Sequence, residues 1–217
     1  MKKTGRYDVS RLTEAQFEPG SRGRVLVNKL GIKRKREMDR LEREELERTL
    51  DELYGMYDET HRFTFQDIRT MHKLWLGSIY EWAGEYRQVN IGKDGFMFAS
   101  AAHVPELMTT FEQEQLTRYT PCHFTEPDET AYALASVHVE LILIHPFREG
   151  NGRTARLLAD VMAAQAGLPP LDFTSLVRRK RDYIAAVQAG MDSNYEPMKN
   201  MFMSVIRRTL KLHGQEI

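Results

Sequence analysis

From about residue 37 the hydrophobic positions recur at helical intervals. Leu46, Leu50, Leu53, Tyr54 and Tyr57 stand three or four residues apart, which predicts a helix over 37–57. Thr64 precedes a second predicted helix, 65–82, with Asp67 in its first turn and a stripe of Ile68, Met71, Leu74, Trp75 and Ile79. An aromatic stripe at that spacing is core, and no ligand is assigned to it. Further helices are predicted over 104–119, over 128–144 behind Pro127, over 153–166 closed by Gly167 and Pro169-Pro170, and over 174–189 and 196–212. Residues 88–99 break the helical period. Val89 and Ile91, then Phe96 and Phe98, alternate about Gly92-Lys93-Asp94-Gly95, a hairpin pattern with Asp-Gly turn chemistry. The fold class is therefore all-α with one small β-hairpin. The expected organisation is a basic N-terminal arm over 1–36, one domain over 37–212 and a short tail over 213–217.

Charge adds little to this picture. Acidic and basic residues balance at 31 each, so no global field favours nucleic acid or a membrane surface. The arm is locally basic, ending in Lys33-Arg34-Lys35-Arg36, but Glu37, Asp39, Glu42, Glu44 and Glu45 follow at once. That run is read as a solvated lead-in, and nucleic acid is not an expected partner. Pro19-Gly20-Ser21-Arg22-Gly23 marks a turn or a flexible stretch within the arm. Cys122 is the single cysteine, which excludes an internal disulfide and fits a reducing compartment. Met1-Lys2-Lys3 is not followed by an apolar stretch, and the apolar segment 131–147 contains His138 and Glu140. Neither a secretory signal nor a membrane span is expected. A cytoplasmic location is the default, with export through a signal-independent secretion system left open. His103, His123 and His138 lack tight metal-ligand spacing.

The chemistry is concentrated in His145-Pro146-Phe147-Arg148-Glu149-Gly150-Asn151-Gly152-Arg153-Thr154-Ala155-Arg156. Gly150-Asn151-Gly152 turns the backbone so that consecutive N–H groups face one concavity, an anion-binding nest. The nest opens onto the predicted helix, whose first N–H groups and dipole also favour phosphate. Arg153 and Arg156 lie on one face of its first turn, and a guanidinium fork grips phosphate oxygens in pairs. Glu149 supplies one carboxylate, which suits the Mg²⁺ that accompanies a nucleoside triphosphate and takes only one or two protein carboxylates. His145 has a near-neutral pKa suited to removing a proton from an attacking hydroxyl. Taken singly, each residue has an ordinary structural role as a core histidine, a turn or a solvated helix face. Their joint occurrence in one short segment favours the functional reading.

This segment resembles the signature of the Fic family (filamentation induced by cyclic AMP), H-P-F-x-[DE]-G-N-G-R-x-x-R, at every fixed position. Tyr80-Glu81-Trp82-Ala83-Gly84-Glu85-Tyr86-Arg87 and Asn90 to Ala99 resemble the segments leading into and forming that family's flap. The resemblance runs from about Leu26 to Met203. It implies the Fic fold, a helical bundle around the signature helix, and protein adenylyltransferase activity. In that activity AMP passes from ATP to a Tyr, Thr or Ser hydroxyl of a target protein, and pyrophosphate is released. Carried over residue by residue, it makes His145 the general base and Glu149 the holder of Mg²⁺ bridging the α- and β-phosphates. Gly150, Asn151 and Gly152 become the phosphate cradle, with Asn151 also on the α-phosphate. Arg153 is placed at the β-phosphate, Arg156 at the γ-phosphate, and Tyr183 in the adenine pocket. Ile91, Gly92, Lys93, Asp94, Gly95 and Phe96 are implied to dock the target by strand addition, with Phe96 pinning the modified side chain.

Many relatives carry an inhibitory helix, [ST]-x-x-x-E-[GN], whose glutamate pairs with the second signature arginine, here Arg156. The nearest match, Ser10-Arg11-Leu12-Thr13-Glu14-Ala15, ends in Ala15 and is not a full motif. A small antitoxin-like partner is therefore the expected inhibitor, if one exists. The related Doc-type kinases carry lysine where Gly152 stands, which favours nucleotidyl transfer here. Transfer of UMP or GMP, removal of AMP, and a non-catalytic nucleotide-binding interaction module remain as alternatives.

Overall fold

The computed structural model describes residues 12–93 and 96–215. Helix α1 (Lys35–Met56) packs on α2 (Phe65–Leu76), which opens with a capping box: the Asp67 N–H donates to Thr64 Oγ1 while the Thr64 N–H donates to Asp67 Oδ2. Helix α2 stops at Leu76, six residues short of expectation. Ile79, Tyr80 and Trp82 keep the apolar period and are buried, but they lie in turns beyond Gly77.

Residues 104–119 form α3 (Val104–Phe111), a π-helical turn (Glu112–Leu116) and α4 (Thr117–Tyr119) in place of one regular helix. Glu112 accepts the N–H of Phe65 at 2.7 Å, which ties this segment to the start of α2. Helix α5 (Pro127–Ile144) is buried around nearly its whole circumference, which explains its lack of a polar face. It packs against α6 (Asn151–Gln165) and, beyond α7 (Thr174–Arg178) and α8 (Lys180–Ala189), against α9 (Glu196–Leu212). The single helix expected over 174–189 is broken at Arg179. No helix among the described residues is long and apolar enough to cross a membrane.

The hairpin forms where expected. Strand β1 (Gly92–Lys93) pairs antiparallel with β2 (Phe96–Met97) in the register Gly92↔Met97, Lys93↔Phe96. Asp94 and Gly95 lie outside the described residues. A Cβ at Gly92 would stand 2.9 Å from the Phe96 carbonyl oxygen across the pair, so this strand position needs glycine.

The N-terminal segment corrects the sequence expectation. From residue 12 onward it is not an arm. Val25 and Leu26 join Met38, Trp75, Ile79, Tyr80 and Trp82 in a second core. Phe17 bridges Leu26, the Lys29 N–H donates to the Ile79 carbonyl, and Asn28 braces its loop by accepting from the N–H groups of Leu30 and Ile32. The turn at Pro19–Gly23 is present, but it reverses a packed segment. Residues 1–11, including the first basic residues, and 216–217 of the tail lie outside the described residues.

Candidate active site

Helix α5 ends at His145, whose backbone is left-handed (φ 54°). A non-glycine residue in that region is strained by roughly 1–2 kcal/mol, and such strain collects at functional sites. The surroundings hold it. The His145 N–H donates to the Leu141 carbonyl, and its own carbonyl accepts from Arg87 Nε at 2.7 Å. In the ring, Nδ1 lies 3.1 Å from the Ile142 carbonyl. A carbonyl only accepts, so Nδ1 carries a proton, and in the neutral form of the ring the lone pair is on Nε2. Phe98 stacks on the imidazole, centroids 3.6 Å apart at 15°.

The loop after His145 reverses at Gly150 (φ 87°), where a Cβ would stand 2.6 Å from the Trp75 ring. Helix α6 begins at Asn151, two residues earlier than expected, with Gly150 as its N-cap. The N–H groups of Arg153 and Thr154 both donate to the Gly150 carbonyl, while those of Asn151 and Gly152 have no acceptor among the described residues. Two such donors at a helix N-terminus are the kind of group that suits an anion. The Asn151 side chain also has a structural part. Its amide oxygen accepts the Phe147 N–H at 2.8 Å and its amide nitrogen donates to the Phe147 carbonyl at 2.7 Å. The side chain braces the loop, and the backbone N–H has no acceptor among the described residues.

The two arginines differ. Arg153 Nη1 donates to Glu42 at 2.7 Å and Nη2 to Glu149 at 3.3 Å, and its guanidinium lies 4.4 Å over the Trp75 ring. Arg156 has no hydrogen bond or ion pair among the described residues. It is half-buried, and a Cβ on Gly152 would lie 3.8 Å from its Nη1. A partly desolvated cation without a partner, beside two free N–H donors, is an arrangement that an anion completes. The nearest inhibitory-motif candidate does not reach it: Glu14 Oε1 accepts the N–H of Gln88 at 2.7 Å, and Ser10 and Arg11 lie outside the described residues.

Glu42, read from sequence as charge balance on a solvated face, is in fact buried. Besides Arg153, it accepts from the Tyr80 hydroxyl at 2.9 Å, and its carbonyl accepts from Trp75 Nε1 at 2.8 Å. Burial and the Glu42 carboxylate push the Tyr80 phenol well above its usual range. His72 was also missed. It is fully buried and stacks on Phe147, its Nδ1 accepts the Gly84 N–H at 2.8 Å, and its Nε2–H donates to the Glu149 carbonyl at 3.0 Å. Desolvation pushes its pKa down to about 4, so at neutral pH it is an uncharged brace under the loop.

These groups line one cleft of about 620 Å³. His145, the 149–153 turn and Arg156 meet Ile91, Gly92, Phe96 and Phe98 of the hairpin on one side. Tyr183, Leu176, Ile184 and Val187 line the far side. The Tyr183 hydroxyl donates to His138 Nε2 at 2.9 Å, which holds the ring upright at the apolar end. Ile91, Gly92 and Phe96 thus border the cleft; Phe98, placed by its alternation in the hairpin but not among the expected site residues, lines it too. No group of three His, Cys, Asp or Glu residues forms a metal cluster among the described residues. Glu149, half-exposed at the mouth, is the carboxylate available to a nucleotide-borne cation.

A mainly helical domain whose helix N-terminus presents two backbone N–H groups below a histidine is the class of protein defined here. The chain belongs to the Fic/DOC family, whose model matches residues 62–163. It is 31% identical over 193 residues to the protein adenylyltransferase VbhT of Bartonella schoenbuchensis, covering 86% of this chain and 37% of that relative. Among solved structures, the N-terminal Fic domain of a putative cell filamentation protein (VirB-translocated Bep effector protein) from Bartonella quintana superposes with a TM-score of 0.68. The two are 28% identical, covering 87% of this chain and 92% of that one. The same domain with bound ADP gives a TM-score of 0.66 at 28% identity, with 83% and 89% covered. The chain spans about a third of the length of the curated relatives it matches.

Proposed function

We propose that this chain transfers AMP from ATP to a Tyr, Thr or Ser hydroxyl of a target protein, releasing pyrophosphate. The observation that carries this reading is the meeting, over one cleft, of the His145 ring, two N–H groups without an acceptor among the described residues and the Arg156 guanidinium. His145 Nε2 takes the proton from the target hydroxyl. That oxygen bonds to the α-phosphorus as the bond to the α,β-bridging oxygen breaks, and pyrophosphate leaves. The chain's work is positioning and charge neutralisation, which dominate phosphoryl-type transfers. The Asn151 and Gly152 N–H groups and Arg156 hold phosphate oxygens, and Arg153 joins them with its remaining donors. Tyr183 and the apolar residues beside it take the base.

Mg²⁺ fits this donor set. One half-exposed carboxylate at the mouth, with phosphate oxygens and water completing the shell, is its usual demand. Glu149 would hold it, and the ion would neutralise phosphate charge. The target would lie along the hairpin as an added strand, with Phe96 against the modified side chain. That the ADP-bound neighbour is a Fic domain and that the curated relatives are named protein adenylyltransferases supports this reading. Separate incubations with labelled ATP, UTP, GTP and CDP-choline test it. Label from ATP on a protein acceptor is expected; label only from another donor, or none, overturns it.

Because Arg156 has no carboxylate partner among the described residues, we further propose that inhibition comes from a separate small antitoxin-like protein supplying a glutamate to it. Growth arrest on cytoplasmic expression, relieved by co-expressing a short neighbouring reading frame, is the expected result. Undiminished growth speaks against an unrestrained toxin.

A further inference from the structure

One buried cation lies outside the phosphate site and joins the hairpin to the histidine. Arg87, 2% exposed, uses its guanidinium on four main-chain carbonyls. Nε donates to His145 at 2.7 Å and Nη1 to Val89 at 2.9 Å, while Nη2 donates to Ala99 and, at 3.3 Å, to Ile144. Its own N–H donates to the Pro146 carbonyl at 2.9 Å. Val89 and Ala99 are the two feet of the hairpin, on either side of β1 and β2. Ile144, His145 and Pro146 are the end of α5 and the left-handed turn that aims the imidazole. No carboxylate hydrogen-bonds this guanidinium among the described residues. The charge is solvated by peptide dipoles, with the Glu14 carboxylate nearby raising its proton affinity against the lowering effect of burial. Burying a cation in this way is a costly way to gain stability, since an apolar side chain would fill the space without desolvating a charge. What it supplies is geometry. A planar fork with five fixed N–H donors can hold carbonyls from two separate segments in one arrangement, which the three rotating donors of an ammonium cannot.

We infer that Arg87 is a positioning residue that locks the hairpin and the histidine turn into one rigid unit. It sets the height of the target-docking strand above His145 Nε2. The Phe98 ring stacked on the imidazole is the visible result, since Phe98 sits between Ala99 and β2 and donates its N–H to the Ile91 carbonyl at 3.2 Å. The inference rests on the adenylyl-transfer reading for its kinetic consequence, but not for the rigid unit itself. Arg87 touches neither nucleotide nor hydroxyl and acts only through what it holds.

Arg87→Lys is the test. Turnover of a protein acceptor should fall on the order of 10²-fold, the usual cost of misplacing reacting groups by about 1 Å. The Kd for ATP, measured by calorimetry on the same preparation, should stay within about twofold. A merely structural role would instead lower the folded fraction and leave kcat per folded molecule unchanged; that result, or kcat and acceptor KM both within twofold of the parent, overturns the inference. Hydrogen exchange of the parent protein provides a second measurement that needs no variant and no activity. The amides of Arg87, Phe98 and Ala101, the last donating to Asn90 Oδ1 across the feet of the hairpin at 2.8 Å, should open together with that of His145. Phe98 and Ala101 exchanging like free amides while His145 stays protected would overturn the inference even if Arg87→Lys fails to fold. If the parent transfers no AMP, the adenylyl reading fails alone and the exchange result still decides the rigid unit.

Discussion

Two glycines two residues apart should respond to the same substitution in opposite ways. At Gly150 an alanine must adopt φ near 87° with its Cβ 2.6 Å from the Trp75 ring, itself fully buried. The left-handed backbone costs an alanine about 1–2 kcal/mol. Forcing a methyl into a packed aromatic adds roughly 1–3 kcal/mol. Gly150→Ala should therefore lose about 2–5 kcal/mol in urea unfolding, with the nest displaced as well. At Gly152 the backbone is already helical, and the nearest atom to an added Cβ is Arg156 Nη1 at 3.8 Å. Gly152→Ala should leave stability unchanged or raise it by up to ~1 kcal/mol, because glycine is the poorer helix residue. In the proposed binding mode its methyl would crowd a phosphate oxygen held by the Gly152 N–H and Arg156. Losing one charge-assisted hydrogen bond, about 1.5–3 kcal/mol, weakens ATP binding roughly 10- to 150-fold. Urea melts and calorimetry on both variants separate the effects. A Gly150→Ala protein as stable as the parent, or a Gly152→Ala protein that binds ATP normally, would refute this account of the turn.

Arg156→Ala should weaken ATP by a similar ~10- to 150-fold while leaving the apo melt unchanged or higher, since burial disfavours its charge and it makes no hydrogen bond or ion pair among the described residues; a destabilised variant with normal ATP affinity would contradict this. His145→Ala should lower turnover by ~10²–10⁴-fold with ATP affinity intact, read by single-turnover kinetics and calorimetry. Acid stability follows from groups whose folded pKa is displaced. His72 and His138 fall from 6.5 to about 4 and about 3, so below pH 6.5 the unfolded chain binds protons the folded one refuses, and stability drops as pH falls. For His72 the full effect is roughly 3 kcal/mol by pH 4. Asp160, raised to about 7 by desolvation, works in the opposite direction over pH 7 to 4. In urea melts from pH 7 to 4.5, His72→Asn should flatten the acid loss and Asp160→Asn should steepen it; unchanged slopes would show these shifts to be absent.

The signature was legible in the chain because its groups are local: a turn, a helix start and two arginines three apart need only spacing to be placed. The hairpin was legible for the same reason. What surrounds them was not. Glu42 reaches Arg153 across 111 residues and His72 reaches the Glu149 carbonyl across 77, and nothing in either neighbourhood marks the pairing. Charge pattern pointed the wrong way, since Glu42 sits among solvated acids and only tertiary packing buries it. The second core misled in a related manner. Its turns at 79–82 carry a helical apolar period because the N-terminal segment packs over them, so helix and turn gave the same pattern. Asn151 carries a brace that its place in the signature does not show, since its amide holds both backbone groups of Phe147.

The central claim is that His145 and the anion nest act on one hydroxyl. Mass spectrometry of cell lysate treated with the purified chain and Mg-ATP tests it most directly. A 5′-adenylyl group on a Tyr, Thr or Ser side chain, present with the parent and missing with His145→Ala, is the predicted result. Equal adduct from both proteins, or none from the parent while it still binds ATP, would contradict it.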